Sequence, residues 1–225
     1  MLDRRFQILF FAFAGIEMAS QFFDLQVLHW AAKPMLVIFL ASYYRQNVFP
    51  LNKTFFLALS CCWVGDILLM VDQFHNLFFL SGLSSFLVAH VLLIFSYRQF
   101  SFPDNGQNST LRVRLSFFIL LIGSGLVTIL YPTLGALKIP VMVYTVVLAL
   151  MVLQAIFRLG RTSATSFWLV FTGAVFFLLS DSLLAINRFY QPIFYAGVWI
   201  MLTYMAALYL IVKGVVAHPL ADKAI

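Results

Sequence analysis

The chain has 225 residues, 63% of them hydrophobic and only 10% charged, with a mean hydropathy of +0.99. A soluble domain carries about 25% charged residues, so this composition excludes one and points to a protein of the bilayer. Lys and Arg number 14 against 8 Asp and Glu, but with no basic stripe or recognition module that excess fits cytoplasmic loops and not nucleic acid.

Apolar stretches of about 20 residues predict an all-α polytopic membrane protein with eight transmembrane helices. They fall near 6–23, 28–45, 54–72, 76–97, 114–131, 140–157, 166–187 and 192–213. The first follows Asp3-Arg4-Arg5 and imitates a signal peptide. Glu17 at its end and the seven further spans read instead as a retained helix. The second span opens at Ala32-Lys33-Pro34, and Pro34, Pro140 and Pro192 are all expected in first turns, where a missing N–H costs nothing. The third holds Cys61 and Cys62, too close to pair and without a metal-binding spacing. Between the fourth and fifth lies the polar stretch Ser101 to Arg114, with Pro103, Asp104, Asn105, Gly106 and Asn108. It is the natural midpoint of one membrane domain with halves of about 1–100 and 110–225.

Charge orients the bundle. In an eight-span arrangement Arg4, Arg5, Arg45, Lys53, Arg98, Arg112, Arg114, Arg158, Arg161, Lys213 and Lys223 fall on one side, and only Lys138 and Arg188 on the other. Eleven against two places both termini in the cytoplasm. For a bacterial chain the membrane would be the inner one.

Asp66, in Cys62-Trp63-Val64-Gly65-Asp66-Ile67, sits deep in the third span, where a charge costs roughly 2.5–3.5 kcal/mol on insertion scales. It needs a partner, a proton or a task. The pattern returns 115 residues later at Ser180-Asp181-Ser182 in the seventh span. Over 65–82 against 180–197, six of 18 positions are identical, including Asp66/Asp181 and Gly82/Gly197. Four spans per half put the copies in the same orientation, as parallel repeats about an axis along the membrane normal. The two carboxyls then face one another at similar depth. A lone buried acid often serves structure alone; a matched pair argues for function.

Other polar residues could join them. Lys33 either snorkels to the headgroups or turns inward as a counter-ion, with Asp181 slightly favoured as its neighbour. His90 in the fourth span, Tyr144 in the sixth, Tyr204 in the eighth, Ser180 and Glu17 are the further candidates. Interhelical hydrogen bonding or core packing is the ordinary use of each. His29, His75 and His218 fall in loops or at helix ends, and no His/Cys spacing supports a metal site. A serine-hydrolase elbow, a P-loop and a dinucleotide fingerprint are all missing from the sequence.

Across nearly its whole length the chain resembles the YhhN family, whose characterised members are lysoplasmalogenases. The resemblance rests on size, eight apolar spans, Lys33-Pro34, Gly65-Asp66, the Gly82 to His90 segment and Ser180-Asp181. Ala89 departs from the pattern, since Ser is expected before the histidine, and that leaves open what His90 bonds to. The resemblance implies hydrolysis of the sn-1 vinyl-ether bond of a lysoplasmalogen, releasing a fatty aldehyde and a glycerophospho-base. It makes Asp66 and Asp181 the catalytic pair, with Lys33 and His90 in support. Such chemistry asks for one acid and one carboxylate, needs no cofactor or metal, and takes a lysophospholipid from the surrounding lipid. A small proton-coupled transporter with intramembrane acids is the main alternative. A structural membrane protein with vestigial acids is the other.

Overall fold

The computed structural model describes residues 2–103 and 108–218, with the side chains of residues 2, 3 and 76 left aside. Within them the chain forms α1 (Leu2–Phe23), α2 (Gln26–Asn47), α3 (Lys53–Met70), α4 (Asn76–Gln99), α5 (Ser109–Leu130), α6 (Lys138–Ile156), α7 (Ala164–Phe189) and α8 (Ala196–Val216). A 3-10 turn, Gly135–Leu137, precedes α6, and no strand occurs among the described residues. Asp104, Asn105 and Gly106 of the expected midpoint loop lie outside the described residues, as does Lys223.

Side-chain oxygens start several helices by accepting from the first free N–H groups: Asn52 from Phe55 N and Ser163 from Ser166 N. Seven of the eight helices are long and apolar enough to cross a membrane, and the protein is a multi-pass integral membrane protein. The exception is α2, whose composition is diluted by Gln26, His29, Lys33, Arg45, Gln46 and Asn47. It also corrects the expected position of two residues. The helix begins at Gln26, so Pro34 lies in its third turn instead of its first, and Lys33 lies about 10 Å along the helix from its start. Pro140 does occupy a first turn, whereas Pro192 precedes α8, which starts only at Ala196 after Tyr195 at φ 53°.

The closest helix pairs are α3 with α4 and α7 with α8, followed by α1 with α2. Glycines permit two of these approaches. A Cβ on Gly65 would meet the Phe86 ring at 2.7 Å, and one on Gly173 would meet the Ala207 carbonyl and the Ile211 N–H at 2.9 Å. Ring and side-chain contacts can shift; backbone cannot. Gly173→Ala should therefore lower stability by about 1–3 kcal/mol, read as earlier unfolding in detergent. Gly82 and Gly197, matched in the sequence, are used differently: Gly82 packs on Leu69 and the Gly65 carbonyl, Gly197 against Gln21 of α1.

Around Arg158, basic residues counted on the cytoplasmic side are built into the fold. Arg158 is fully buried, with Nε and Nη2 donating to the Phe100 carbonyl and Nη2 to Ser166 Oγ at 2.8 Å. Arg112, also buried, donates from Nη2 to the Leu159 carbonyl at 2.6 Å. A carbonyl at a helix or turn end has no partner of its own, which explains why arginine is drawn in. His218 closes the same end, its Nδ1 2.6 Å from Thr162 Oγ1 and its ring against Phe100 and Phe102.

Burial, with nearby Arg158 adding to it, pushes the His218 imidazole down to about 4. An unfolded histidine titrates near 6.5, so between these values the unfolded chain binds the proton more readily. The neutral ring's contribution is complete above about pH 6.5 and is lost as pH falls toward 4. Over that window the melting temperature of the wild type should fall more than that of His218→Gln.

Candidate active site

Asp66 lies four residues before the end of α3 and Asp181 eight before the end of α7. Both therefore sit in the half of the bundle nearer the α1–α2, α3–α4 and α7–α8 connections. They line one cavity of about 140 Å³, walled by α2, α3, α4, α6, α7 and α8. Lys33, Phe86, Tyr144, Ser180, Met201 and Tyr204 complete much of its lining.

The two carboxyls are held differently. Asp66 is buried, and both its oxygens are engaged: Oδ1 lies 3.8 Å from Lys33 Nζ, and Oδ2 accepts from Tyr204 OH at 2.6 Å. Asp181, slightly more open, uses Oδ2 for both its neighbours, Tyr144 OH at 2.6 Å and His90 Nε2 at 3.8 Å. Lys33 thus turns inward, but its ion pair is with Asp66 and not with Asp181, because α2 packs on α3 and α8 rather than on α7. The 3.8 Å separation at His90 is too long for a hydrogen bond. Neither ring nitrogen of this fully buried histidine has a hydrogen-bond partner. The ring is held edge-on by Phe177 at 4.7 Å and Tyr144 at 5.5 Å.

Other candidates fall elsewhere. Ser180 lines the cavity but spends its hydroxyl on the Ile200 carbonyl at 3.2 Å, tying α7 to α8. Glu17 is buried apart from the cavity wall, 2.7 Å from His29 Nδ1 and 3.1 Å from Gln21 Nε2. Its partner His29 lies in the first turn of α2, at the helix end where the sequence placed it.

Two features escaped the sequence reading. Asp72, just past α3, lines both the aspartate cavity and a second, polar vestibule of about 430 Å³ beside the α1–α2 connection. Arg188 reaches it across the bundle, Nη1 to Oδ2, at 3.6 Å. Their offsets are the missed signal: Asp72 is six residues beyond Asp66 and Arg188 seven beyond Asp181, so each half carries a charged residue about two turns beyond its acid.

On the opposite side an apolar slot adjoins the cavity, sharing Phe79, Leu83, Tyr144, Asp181 and Leu184 with it and reaching Leu126 of α5. Among the described residues α4 meets α7 only through side chains, Phe79 on Phe189 and Phe86 and His90 on Phe177, and does not pack on α5. The separated backbones leave this room. No group of three or more His, Cys, Asp and Glu able to hold a metal occurs among the described residues.

The sequence profile of the YhhN family matches residues 28–215. "Lysoplasmalogenase TMEM86B" of Sus scrofa is 30% identical over 162 residues, covering 72% of this chain and 63% of the relative. "Lysoplasmalogenase TMEM86B" of Homo sapiens is 31% identical over 162 residues, again 72% and 63%. "Lysoplasmalogenase TMEM86A" of Bos taurus is 28% identical over 172 residues, covering 74% of this chain and 67% of that protein. The chain thus spans somewhat less than two thirds of the first two relatives. No solved structure matches it.

Proposed function

The chain belongs to the YhhN family, and from that premise we propose that it hydrolyses the vinyl ether of lysoplasmalogens with Asp66 and Asp181. The observation that carries the reading is the unequal engagement of two carboxyls in one cavity. Asp66 has a cation and a phenol on its two oxygens, the setting of a carboxylate. Asp181 meets both Tyr144 and His90 through Oδ2, which leaves Oδ1 to carry a proton. We assign Asp181 as the acid and Asp66 as the carboxylate.

The acid places its proton on the vinyl carbon remote from the ether oxygen. The neighbouring carbon becomes an oxocarbenium ion, which Asp66 stabilises electrostatically. Water adds to that carbon and gives up a proton to the carboxyl pair. The resulting hemiacetal collapses to aldehyde and the glycerophospho-alcohol. Every proton taken is returned, so no cofactor enters. Tyr144 and Tyr204 fix the carboxyls as second partners, and the apolar slot receives the first carbons of the alkenyl chain.

The same reading includes eight spans with α2 crossing among its neighbours, both termini in the cytoplasm, and two parallel four-helix halves. The pairing pattern supports the halves. Asp66 meets groups on α2 and α8, and Asp181 meets groups on α6 and α4, the positions related by a shift of four helices. Incubation of purified protein with lysoplasmenylethanolamine and with its saturated ether analogue tests the reaction. Aldehyde should form from the first alone. Absence of aldehyde from both refutes the assignment and favours a carrier.

A further inference from the structure

The mouth of the aspartate cavity is guarded by a loosely made ion pair. Asp72 and Arg188 stand 3.6 Å apart at closest approach, with their side chains 27% and 40% exposed. An exposed pair at this separation is weak and opens at little cost. Asp72 lines both the aspartate cavity and the polar vestibule, whose other walls include Asp24, Gln26, His29 and Gln73. The Arg188 guanidinium lies 4.7 Å over the Phe79 ring, and Phe79 lines both the aspartate cavity and the apolar slot. An anion and a cation set side by side at the rim complement a ligand that carries a linked cation and anion.

We propose that the Asp72–Arg188 pair is a headgroup site for a zwitterionic phospho-amino-alcohol, the phosphate displacing Asp72 from Arg188 and the ammonium turning to Asp72. This rests on the preceding reading that the ligand is a lysophospholipid. Several features fit it. The guanidinium fork is suited to phosphate, and stacking on Phe79 holds it in place while its anion changes. Lys33, the other nearby cation, is occupied deeper inside by Asp66. The vestibule's own acid, Asp24, and Asp72 would oppose a headgroup that brought phosphate without an ammonium. With the headgroup at this rim, the glycerol and ether are directed inward toward Asp66 and Asp181. The chain then follows the apolar slot.

The test uses uncleavable saturated 1-O-alkyl lipids of one chain length, bearing phosphoethanolamine, a phosphate monoester or plain glycerol. Their affinities are measured on purified protein in detergent. The wild type should bind the phosphoethanolamine lipid about tenfold more tightly than either other lipid, the size of one charge-assisted contact. Arg188→Gln should erase the advantage over alkylglycerol and leave alkylglycerol affinity unchanged. Asp72→Asn should act with the opposite sign on the monoester, strengthening it until the zwitterion is no longer preferred. Three results overturn the proposal: no headgroup order in the wild type, the same order in both variants, or equal weakening of all three lipids. Because these lipids are not turned over, the ranking is read separately from aldehyde release. Failure of the vinyl-ether reaction and failure of the headgroup site therefore appear in different measurements.

Discussion

Changing Asp66 or Asp181 to Asn is expected to lower aldehyde release by about 10²–10⁴-fold, the usual worth of a positioned acid or base. Asparagine keeps the size of each side chain and can still accept from Tyr204 or Tyr144, so packing should survive. What it removes is the proton carrier at 181 and the charge at 66. The double variant should be little worse than the worse single one, because the pair acts as a unit and its effects are not additive. Thermal unfolding belongs beside the assay for Asp66→Asn, since it leaves buried Lys33 without its anion. If both single variants fold and keep near-normal rates, the acids are structural and His90 and Glu17 become the next residues to replace.

Replacing Arg158 should produce the largest loss of stability outside the cavity. Its guanidinium joins the end of α4 at the Phe100 carbonyl to Ser166 in α7, and Ser166 Oγ passes the link to the Gly214 carbonyl of α8 at 2.6 Å. Arg158→Met fills the space with an apolar chain but leaves the Phe100 carbonyl and Ser166 Oγ without their guanidinium donor inside the protein. Hydrogen bonds from a charged donor are worth about 1.5–3 kcal/mol each, and stranding their acceptors adds desolvation cost. A loss of about 2–4 kcal/mol in unfolding free energy is expected on that basis. Arg158→Lys should restore only part of it, since one ammonium cannot reproduce the fork. Activity at permissive temperature should change little, because Arg158 is remote from Asp66 and Asp181 along α6 and α7.

The helices were legible in the sequence because bilayer length and apolar composition constrain them directly, and each expected span overlaps an observed helix. Asp66 and Asp181 stood out for the same reason: an acid is conspicuous where everything around it is apolar. Depth was harder to read than membership. Lys33 looked like an end residue because Pro34 suggested a helix start, yet backbone bonding from His29 to Leu25 begins the helix earlier and draws the lysine inward. Which acid it joins depends on α2 packing against α3, a long-range contact that spacing does not encode. Asp72 was not singled out and Arg188 entered only the count of charges by side, since only folding brings the ends of α3 and α7 together. Arg158 was counted only among the cytoplasmic-side cations because burial of an arginine by carbonyls leaves no pattern in the local sequence.

The most direct test of the chemistry is turnover of lysoplasmenylethanolamine in D₂O, followed by prompt reduction of the aldehyde to its alcohol and mass analysis. Protonation of the vinyl carbon by the carboxyl pair predicts one deuterium per molecule, on the carbon next to the former aldehyde. Aldehyde formed without deuterium at that carbon would contradict the acid-catalysed route and, with it, the role given to Asp181.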